Sequence, residues 1–303
     1  MMVSVIIPSY NSEKTILGCL SSLLDQSYKS DYEIMLVDSS IDATPSIVKT
    51  KFPQIQYFHF DKKTDPGTAR NYGVKNSRGD PILFIDSDCV AEKDWIYRHV
   101  QFHNDHPEVA AIGGSVINGN NSKDIVGWSS YFGEFREFLP QNPENFTFHI
   151  PTLNISYKRW VFEKYSFFDP NFYPQEDLVF NYSITNQGEK IFFDPLIKVR
   201  HTHRSRLRPF LRHQYNIGSK TSQVLKIIPL PGHHIARNKV LFIVVGPALP
   251  FIKFFRTIRV IFRYKPIQII RRILAIIVLK IGLIFWFFGF FHGVFSGEMG
   301  GVK

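Results

Sequence analysis

The feature that most constrains the fold of this chain is a short apolar run, Pro81–Ile85, which ends in Asp86-Ser87-Asp88. A continuous apolar segment of this length, bounded by charge, is typical of a strand buried on both faces of a parallel sheet. The two aspartates then lie at the carboxyl end of the strand, where open α/β sheets bind their ligands. Because neighbouring carboxylates repel each other unless a cation lies between them, the pair predicts a divalent metal site. An ordinary acidic turn is the alternative, since an Asp-x-Asp motif alone has low specificity.

Three further strand segments precede this run. Apolar stretches at 3–7, 34–37 and 55–60 each stop at a loop, and each is followed by residues with a helix pattern. Strands that alternate with helices at these spacings predict a parallel, doubly wound α/β sheet. Asp38 then lies at the carboxyl end of its strand, as Asp86 does, unless each aspartate merely caps the helix that follows.

The charge of the chain is unevenly distributed. Its 303 residues carry a formal charge of +10, yet residues 195–303 hold 19 Lys and Arg with one acid, Glu298, and the preceding part is net acidic. The asymmetry indicates a membrane or polyanion partner for the basic end rather than nucleic acid for the whole chain. The first ten residues enter a strand pattern directly, without the pattern of an export signal.

The two cysteines, Cys19 and Cys89, are too few for a disulfide framework, which favours a reducing compartment. Cys89 directly follows the acidic pair. We interpret it as a small buried residue rather than a nucleophile, because the sequence offers no activating base beside it.

A second acidic pair, Glu176-Asp177, opens an apolar segment that can form a helix. Acids in the first turn complement the helix dipole, so simple capping is the alternative to a catalytic role. Further on, His201 and His203 alternate along an extended segment, which places both rings on one side. A basic loop follows and would either close over a bound diphosphate or face anionic lipid. Its arginines are Arg204, Arg206, Arg208 and Arg212.

Residues 240–303 are predicted to attach the chain to a membrane. The apolar run 240–252 is shorter than the roughly 20 residues that a spanning helix needs, so it should enter the bilayer without crossing it. An amphipathic stripe over 251–262 is typical of an interfacial helix, and the basic residues between 253 and 272 favour a cytoplasmic position for them and for the catalytic part. The segment 273–295 is long enough to span, and its Gly289-Phe-Phe-His-Gly293 spacing makes an oligomer one option.

Taken in order, the motifs resemble those of the family 2 glycosyltransferases of the GT-A fold. The matching pieces are Val-Ser-Val-Ile-Ile-Pro-Ser-Tyr-Asn at 3–11, Val37-Asp38, Gly67-Thr-Ala-Arg-Asn-Tyr-Gly73, Phe84-Ile-Asp-Ser-Asp88 and Glu176-Asp177. The resemblance covers most of residues 1 to about 220. It implies a mixed, mainly parallel, doubly wound GT-A sheet in a catalytic domain at 1–225, with a nucleotide-sugar-binding half (1–115) and an acceptor-binding half (116–225). A membrane-associated helical region would follow at 226–303.

The resemblance also implies which residues surround a nucleotide-diphosphate sugar, with a UDP-sugar favoured. They are Pro8, Tyr10, Asp38, Arg70, Asp86 and Ser87, with Asp86 close to the ribose. The chain departs from the family pattern at one point, because many relatives carry a second aspartate beside the one at position 38. Here Ser39-Ser40 follows, and the next acid is Asp42. For Arg70, an ordinary solvated helix arginine is the alternative.

Metal and catalytic roles follow from the same resemblance. The implied ligands of Mg²⁺ or Mn²⁺ are Asp88, Asp86 and His201, with His203 as the second choice for the histidine. Hard carboxylate oxygens suit such a cation, which stabilises the charge on a departing nucleoside diphosphate. Asp177 would be the general base on the acceptor hydroxyl, and Glu176 would support it.

The sequence therefore predicts a membrane-associated, cytoplasm-facing, inverting glycosyltransferase that acts on a lipid-linked or cell-envelope glycan. A sugar nucleotidyltransferase is one alternative, although such enzymes usually have a glycine-rich loop with Arg and Lys where this chain has Pro8-Ser-Tyr-Asn. A non-catalytic membrane scaffold with a nucleotide-binding fold is the other. The joint presence of Asp86, Asp88 and Asp177 argues against it.

Overall fold

The structure is a computed structural model, and it describes residues 2–264 and 266–296. A nine-stranded mixed sheet carries the predicted site. Its strands are β1 (Val3–Ser9), β2 (Tyr32–Asp38), β3 (Gln56–His59), β4 (Ile82–Ile85), β5 (Cys89–Ala91), β6 (Ala111–Asn118), β7 (Asn145–Thr147), β8 (Asn154–Tyr157) and β9 (Ile191–His201). Their order is β3-β2-β1-β4-β8-β6-β9-β5, and β7 pairs with β9.

Helices connect the strands and make up the C-terminal part. They are α1 (Ile16–Leu24), α2 (Thr44–Lys51), α3 (Pro66–Asn76), α4 (Trp95–Asp105), α5 (Ile125–Phe135), α6 (Arg159–Tyr165), α7 (Glu176–Thr185), α8 (Leu207–Ile227), α9 (His233–Arg237), α10 (Lys239–Val245), α11 (Leu249–Tyr264), α12 (Pro266–Arg271) and α13 (Ile273–Phe295). Short 3₁₀ turns lie at Arg136–Phe138, Pro170–Phe172 and Gly246–Ala248.

The first four strands form the parallel half of the sheet. β1 pairs in parallel with β2 and β4, and β2 pairs in parallel with β3. All residues of β1 and β4 are buried, which fits continuous apolar segments that are covered on both faces. The carboxyl ends of β2 and β4 consequently lie at one edge, with Asp38 and Asp86 as the residues at those ends.

The later strands make the sheet mixed. β8 is antiparallel to both β4 and β6, and β5 is antiparallel to β9. β8 therefore lies directly beside the strand that ends in the aspartate pair. The predicted doubly wound α/β class is confirmed, and the antiparallel strands come from residues 89–201.

Within the described residues the chain divides into two compact units. The first contains the residues up to Ile117 and Phe138–Thr202, and the second contains Asn118–Glu137 and the residues from His203 onward. Nearly all of the sheet lies in the first unit. The domain limits proposed from the sequence, 1–225 and 226–303, stay a prediction. Within that predicted C-terminal region, Lys265 and residues 297–303, including Glu298, lie outside the described residues.

Two glycines of α13 allow this helix to pack closely on α8 inside the second unit. A Cβ added at Gly289 would lie 1.9 Å from the carbonyl oxygen of Tyr215, and one at Gly293 would lie 2.0 Å from Ser222 Oγ. A side chain at either position would therefore separate the helices. The Gly289–Gly293 spacing thus serves a helix contact within one chain, and oligomerisation stays a prediction.

Two helical segments of the second unit are long and apolar enough to cross a membrane, by length and composition alone: Lys239–Arg263 and Ile273–Phe295. The first combines α10, a 3₁₀ turn and most of α11. It is therefore longer than the apolar run 240–252, from which we predict a segment that enters the bilayer without crossing it. α11 exposes several large apolar side chains. They are Phe251, Ile252, Phe255 and Phe262.

Candidate functional site

A buried arginine joins two acidic motifs in the first unit. Arg70 of α3 is 3% exposed. Its Nη2 donates to Asp86 Oδ1 and its Nη1 donates to Glu176 Oε1, each at 2.8 Å. The guanidinium therefore bridges the end of β4 and the first turn of α7. Its burial shows that the alternative of a solvated helix arginine is wrong.

Local sequence places α3 for this contact. Asp65 caps the helix by accepting a hydrogen bond from the Thr68 main-chain N–H at 2.9 Å, and Pro66 fills the first helical position. Gly73 lies against β1, where an added Cβ would meet Ile6 Cγ2 at 2.4 Å. The helix consequently packs close to the sheet, with Arg70 on its buried side.

The guanidinium of Arg70 is shared by two carboxylates, the buried Glu176 and the 30% exposed Asp86. Burial raises the pKa of Glu176 to about 7, while Arg70 opposes the shift and Asp177 adds to it. Burial likewise raises the pKa of Asp86, again against the influence of Arg70. For Arg70, burial lowers the pKa, but the adjacent Asp86 and Glu176 outweigh it and the net shift is upward. The charged arginine is thus fixed, and the two acids compete for it.

Asp88 lies against a histidine of β9. Its Oδ1 is 3.2 Å from His201 Nε2, and its main-chain carbonyl accepts a hydrogen bond from the Thr202 N–H at 2.9 Å. The Asp88 side chain is 41% exposed, whereas that of His201 is 9% exposed. The structure thus brings two of the predicted metal ligands together.

His203, the second choice for the histidine ligand, lies in the other compact unit. There its main-chain N–H donates to Asn120 Oδ1 at 2.6 Å, and its ring lies near those of Tyr131 and Phe135.

Cys89, which the sequence analysis does not include among the metal ligands, completes the group around Asp88. The ligand atoms of Asp88, Cys89 and His201 all lie within 4.8 Å of one another.

Asp177 is half-buried and is oriented from two sides. Its Oδ1 accepts from the Leu178 main-chain N–H at 2.7 Å, and its Oδ2 accepts from the Thr152 main-chain N–H at 3.2 Å. The hydrogen bond from Leu178 satisfies an N–H group in the first turn of α7, as the capping alternative requires. The second comes from a loop before β8, and Thr152 had no signal in the sequence.

Asp38 is fully buried in a polar network. Ser40 Oγ donates to its Oδ1 at 2.5 Å, Tyr57 OH donates to its Oδ2 at 3.0 Å, and His59 Nδ1 lies 3.1 Å from the same oxygen. The alternative that Asp38 caps the next helix is wrong, because these side chains bind its carboxylate and the Thr44 N–H at the start of α2 donates to Asp42 Oδ1 at 3.0 Å instead. The alternation of Tyr57 and His59 along β3 is the sequence feature that could have indicated these partners of Asp38.

The remaining predicted nucleotide-sugar residues lie on or just after strands of the same edge. Pro8 is buried in β1, opposite Val37. Tyr10 is 37% exposed, with Lys63 Nζ 4.4 Å from the centre of its ring. Ser87 is buried, and its Oγ is 2.7 Å from Ser12 Oγ.

Comparison with known proteins identifies the family. The family model described as glycosyl transferase family 2 matches residues 4–167, which is more than half of the chain. The chain belongs to this family. The residues that carry the resemblance lie within or shortly after the matched range.

Relatives with assigned activities share moderate identity with this glycosyltransferase. The dolichyl N-acetyl-α-D-glucosaminyl phosphate 3-β-D-2,3-diacetamido-2,3-dideoxy-β-D-glucuronosyltransferase of Methanococcus voltae is 26% identical over 239 residues, which is 74% of each chain. The poly(ribitol-phosphate) β-N-acetylglucosaminyltransferase TarS of Staphylococcus aureus is 34% identical over 125 residues. That match covers 39% of this chain and only 22% of TarS.

Solved structures confirm the GT-A-type fold. Residues 1–349 of S. aureus TarS in complex with UDP-GlcNAc match with a TM-score of 0.56 and 18% identity, over 93% of this chain and 90% of that one. The mannosyltransferase PcManGT of Pyrobaculum calidifontis, in complex with GDP-Man and Mn²⁺, matches with a TM-score of 0.62 and 18% identity. The coverage is 98% of this chain and 88% of PcManGT.

Proposed function

We propose that this glycosyltransferase is a metal-dependent, inverting enzyme that moves a sugar from a UDP-sugar to a hydroxyl of a lipid-linked or cell-envelope glycan. The Arg70 bridge carries the proposal, because it fixes the acid at the end of β4 relative to the first turn of α7. Donor-side and acceptor-side carboxylates are thereby held in one geometry. The UDP-GlcNAc of the TarS complex supports the donor class, and the names of the M. voltae and TarS relatives support the acceptor class.

Asp88 and His201 are the proposed holders of Mg²⁺ or Mn²⁺, and Asp86, which the resemblance also implies as a ligand, is held by Arg70. A carboxylate oxygen and an imidazole nitrogen 3.2 Å apart form a donor pair that Mn²⁺ accepts, and the half-exposed Asp88 leaves access for the diphosphate. When bound, the cation would stabilise the charge on the departing nucleoside diphosphate. The Mn²⁺ in the PcManGT complex supports a divalent ion in this fold.

Asp177 is the proposed general base. Its hydrogen bonds from the Leu178 and Thr152 N–H groups orient the carboxylate and leave lone pairs for an acceptor hydroxyl. The base takes the hydroxyl proton as the acceptor oxygen attacks the anomeric carbon opposite the leaving group. Glu176 serves indirectly, because its ion pair with Arg70 fixes the first turn of α7.

Residues around the ends of β1, β2 and β4 are proposed to hold the nucleotide-sugar. Tyr10 offers an exposed aromatic face, and the Asp38 network shapes the end of β2. Ser87, tied to Ser12, and Pro8 fix the adjoining loops. Arg70 has both Nη groups on carboxylates, so we assign it a positioning role rather than a direct phosphate contact.

The second unit is proposed to hold the enzyme on the cytoplasmic face of a membrane. Two apolar helical segments and the exposed aromatic side chains of α11 support this location. Purified full-length protein should float with liposomes that contain anionic lipid. If it remains at the bottom of the gradient at every lipid composition, the membrane assignment is wrong.

A screen of nucleoside diphosphate release tests the activity. The full chain is supplied with individual nucleotide-sugars and a lipid-linked glycan fraction, with Mn²⁺ or with EDTA. Release of UDP that needs both acceptor and Mn²⁺ is the expected result. Pyrophosphate release from a nucleoside triphosphate would instead identify a sugar nucleotidyltransferase, and donor binding without any release would identify a non-catalytic scaffold.

A further inference from the structure

Cys89 has no part in the function proposed above, yet it lies in the group around the proposed metal position. It is fully buried in β5 and is the direct antiparallel partner of His201 in β9. Directly opposed residues of an antiparallel pair carry their side chains on the same face of the sheet. The backbone therefore presents a thiol and an imidazole side by side, and this pairing does not depend on either rotamer.

The carboxylate of Asp88 completes a compact three-residue set. Its Oδ1 lies 3.8 Å from Cys89 Sγ and 3.2 Å from His201 Nε2. A tetrahedral Zn²⁺ with Cys, His and Asp ligands holds their donor atoms roughly 3.5 Å apart. The two separations from Asp88 Oδ1 differ from that value by about 0.3 Å, and all three donor atoms lie within 4.8 Å of one another.

The donor types favour a different metal from the one used in sugar transfer. Mg²⁺ takes oxygen ligands, for which Asp88 and water suffice, and Mn²⁺ also accepts an imidazole such as His201, so neither ion needs a sulfur ligand. A thiolate selects softer ions, and Zn²⁺ also binds more tightly than Mn²⁺ to most N/O/S sites. A cysteine beside the carboxylate and the histidine therefore changes the metal preference of the set.

We propose that Asp88, Cys89 and His201 form a Zn²⁺ site that overlaps the position of the catalytic cation, so that Zn²⁺ displaces Mg²⁺ or Mn²⁺ and stops transfer. The overlap rests on the proposed function, whereas the site itself rests on the three side chains. On binding, the Cys89 S–H bond breaks, a Zn–S bond forms, and the proton passes to solvent. No electrons are transferred.

The test uses full-length protein in detergent, with Co²⁺ as a spectroscopic substitute for Zn²⁺. The wild type should show a thiolate-to-cobalt charge-transfer band in the near ultraviolet. Cys89→Ser should remove the band, and it should weaken Zn²⁺ binding, measured against a competing chelating dye, by about tenfold or more. The affinity for Mn²⁺ should fall by less than about threefold, because Mn²⁺ needs no sulfur ligand.

Cys19→Ser is the matched control, since Cys19 is also fully buried and its Sγ lies 3.6 Å from the Asp86 carbonyl oxygen. It should keep both the band and the Zn²⁺ affinity. The absence of a charge-transfer band in the wild type would overturn the proposal even if the Cys89 variant failed to fold. Equal Zn²⁺ affinity in the wild type and in Cys89→Ser would overturn it as well.

The two proposals can fail separately. Mn²⁺-dependent UDP release, together with Zn²⁺ binding that ignores Cys89, would refute the zinc site and leave the transferase intact. Zn²⁺ binding that requires Cys89, in a protein that releases no UDP under any condition, would support the zinc site and refute the proposed activity.

Discussion

Two kinds of carboxylate lie in the candidate site, after β4 and in the first turn of α7, and they differ in what holds them. Asp86 and Glu176 share the buried guanidinium of Arg70, each at 2.8 Å. Asp88 lies against His201, Asp177 accepts from Thr152, and both remain partly exposed. The first kind shares one buried arginine, although the Asp86 side chain is still 30% exposed, and the second is held by a histidine or by main-chain N–H groups.

The division follows the two sequence motifs. In Asp86-Ser-Asp88 and in Glu176-Asp177, the first acid forms an ion pair with Arg70, whereas both Arg70 Nη groups are thereby used and the second acid has other partners. A buried ion pair contributes little net stability against apolar replacements, but it fixes geometry and is costly to break from one side. We therefore interpret the first acid of each motif as a positioning residue and the second as the residue that meets substrate or cation.

The largest effect is expected for the second acid of a motif, in Asp177→Asn. The amide keeps the size of the side chain and its one oxygen can still accept from either Thr152 or Leu178, but it cannot take a proton. Transfer should fall about 10³-fold, while donor affinity stays within about threefold. Steady-state UDP release and equilibrium donor titration measure the two quantities.

Asp194→Asn provides the control for that substitution, because Asp194 also accepts a main-chain hydrogen bond, from Leu196 at 2.8 Å, and has no proposed role in the reaction. It should retain nearly full activity. A folded Asp177→Asn protein that no longer binds donor would contradict the base assignment and would place Asp177 among the nucleotide-sugar contacts.

The next largest effect is expected at the acids that share Arg70, through Arg70→Ala. Its removal leaves the buried Glu176 and the partly exposed Asp86 without their cation, and the unfolding free energy should fall by about 3 kcal/mol. Arg98→Ala removes a half-exposed i,i+4 pair with Asp94 and should cost no more than about 0.5 kcal/mol. Urea unfolding of both variants measures the difference. Equal losses of unfolding free energy would show that the Arg70 ion pairs contribute no more than an exposed surface pair.

A smaller effect is expected in the pH dependence of stability, because the pKa of Glu176 is raised to about 7 in the folded chain. The folded state then binds this proton more tightly than the unfolded chain does. Its stabilising contribution is complete below the ordinary pKa of about 4.5 and is lost as the pH rises through about 7.

Glu176→Gln isolates this contribution. Between about pH 5 and about pH 7.5, the wild type should lose about 2 kcal/mol more unfolding free energy than the variant does. Urea titrations of both proteins across this range provide the comparison, in which other titrating groups cancel. Parallel curves would mean that Arg70 keeps Glu176 ionised throughout.

The sequence predicted the strands of this edge because their signal is local. A buried parallel strand needs continuous apolar residues, so β4 and its terminal aspartates could be located from Pro81–Asp88 alone. The same holds for the helical segment after Glu176, whose apolar pattern is contained within the segment. Motif order then sufficed to indicate the family.

Contacts between distant segments could not be predicted in this way. Arg70 and Glu176 are 106 positions apart, and their ion pair depends on how α3 and α7 meet over the sheet. The sequence indicates only a small buried residue at Cys89, because its pairing with His201 depends on the register of β5 and β9. The glycines of α13 suggested a second copy of the chain, since sequence spacing does not distinguish a partner chain from α8.

The smallest effect is expected for the second acid of the other motif, in Asp88→Ala. Loss of one ligand should weaken donor nucleotide binding about tenfold with Mn²⁺ present and leave binding in EDTA unchanged. Asp25→Ala, at an exposed carboxylate paired with Lys93, should not change either affinity. If Asp88→Ala binds nucleotide as the wild type does in both conditions, the cation is held elsewhere. Asp88 would then have no metal role, and the division between positioning and reacting acids would hold only for Glu176-Asp177.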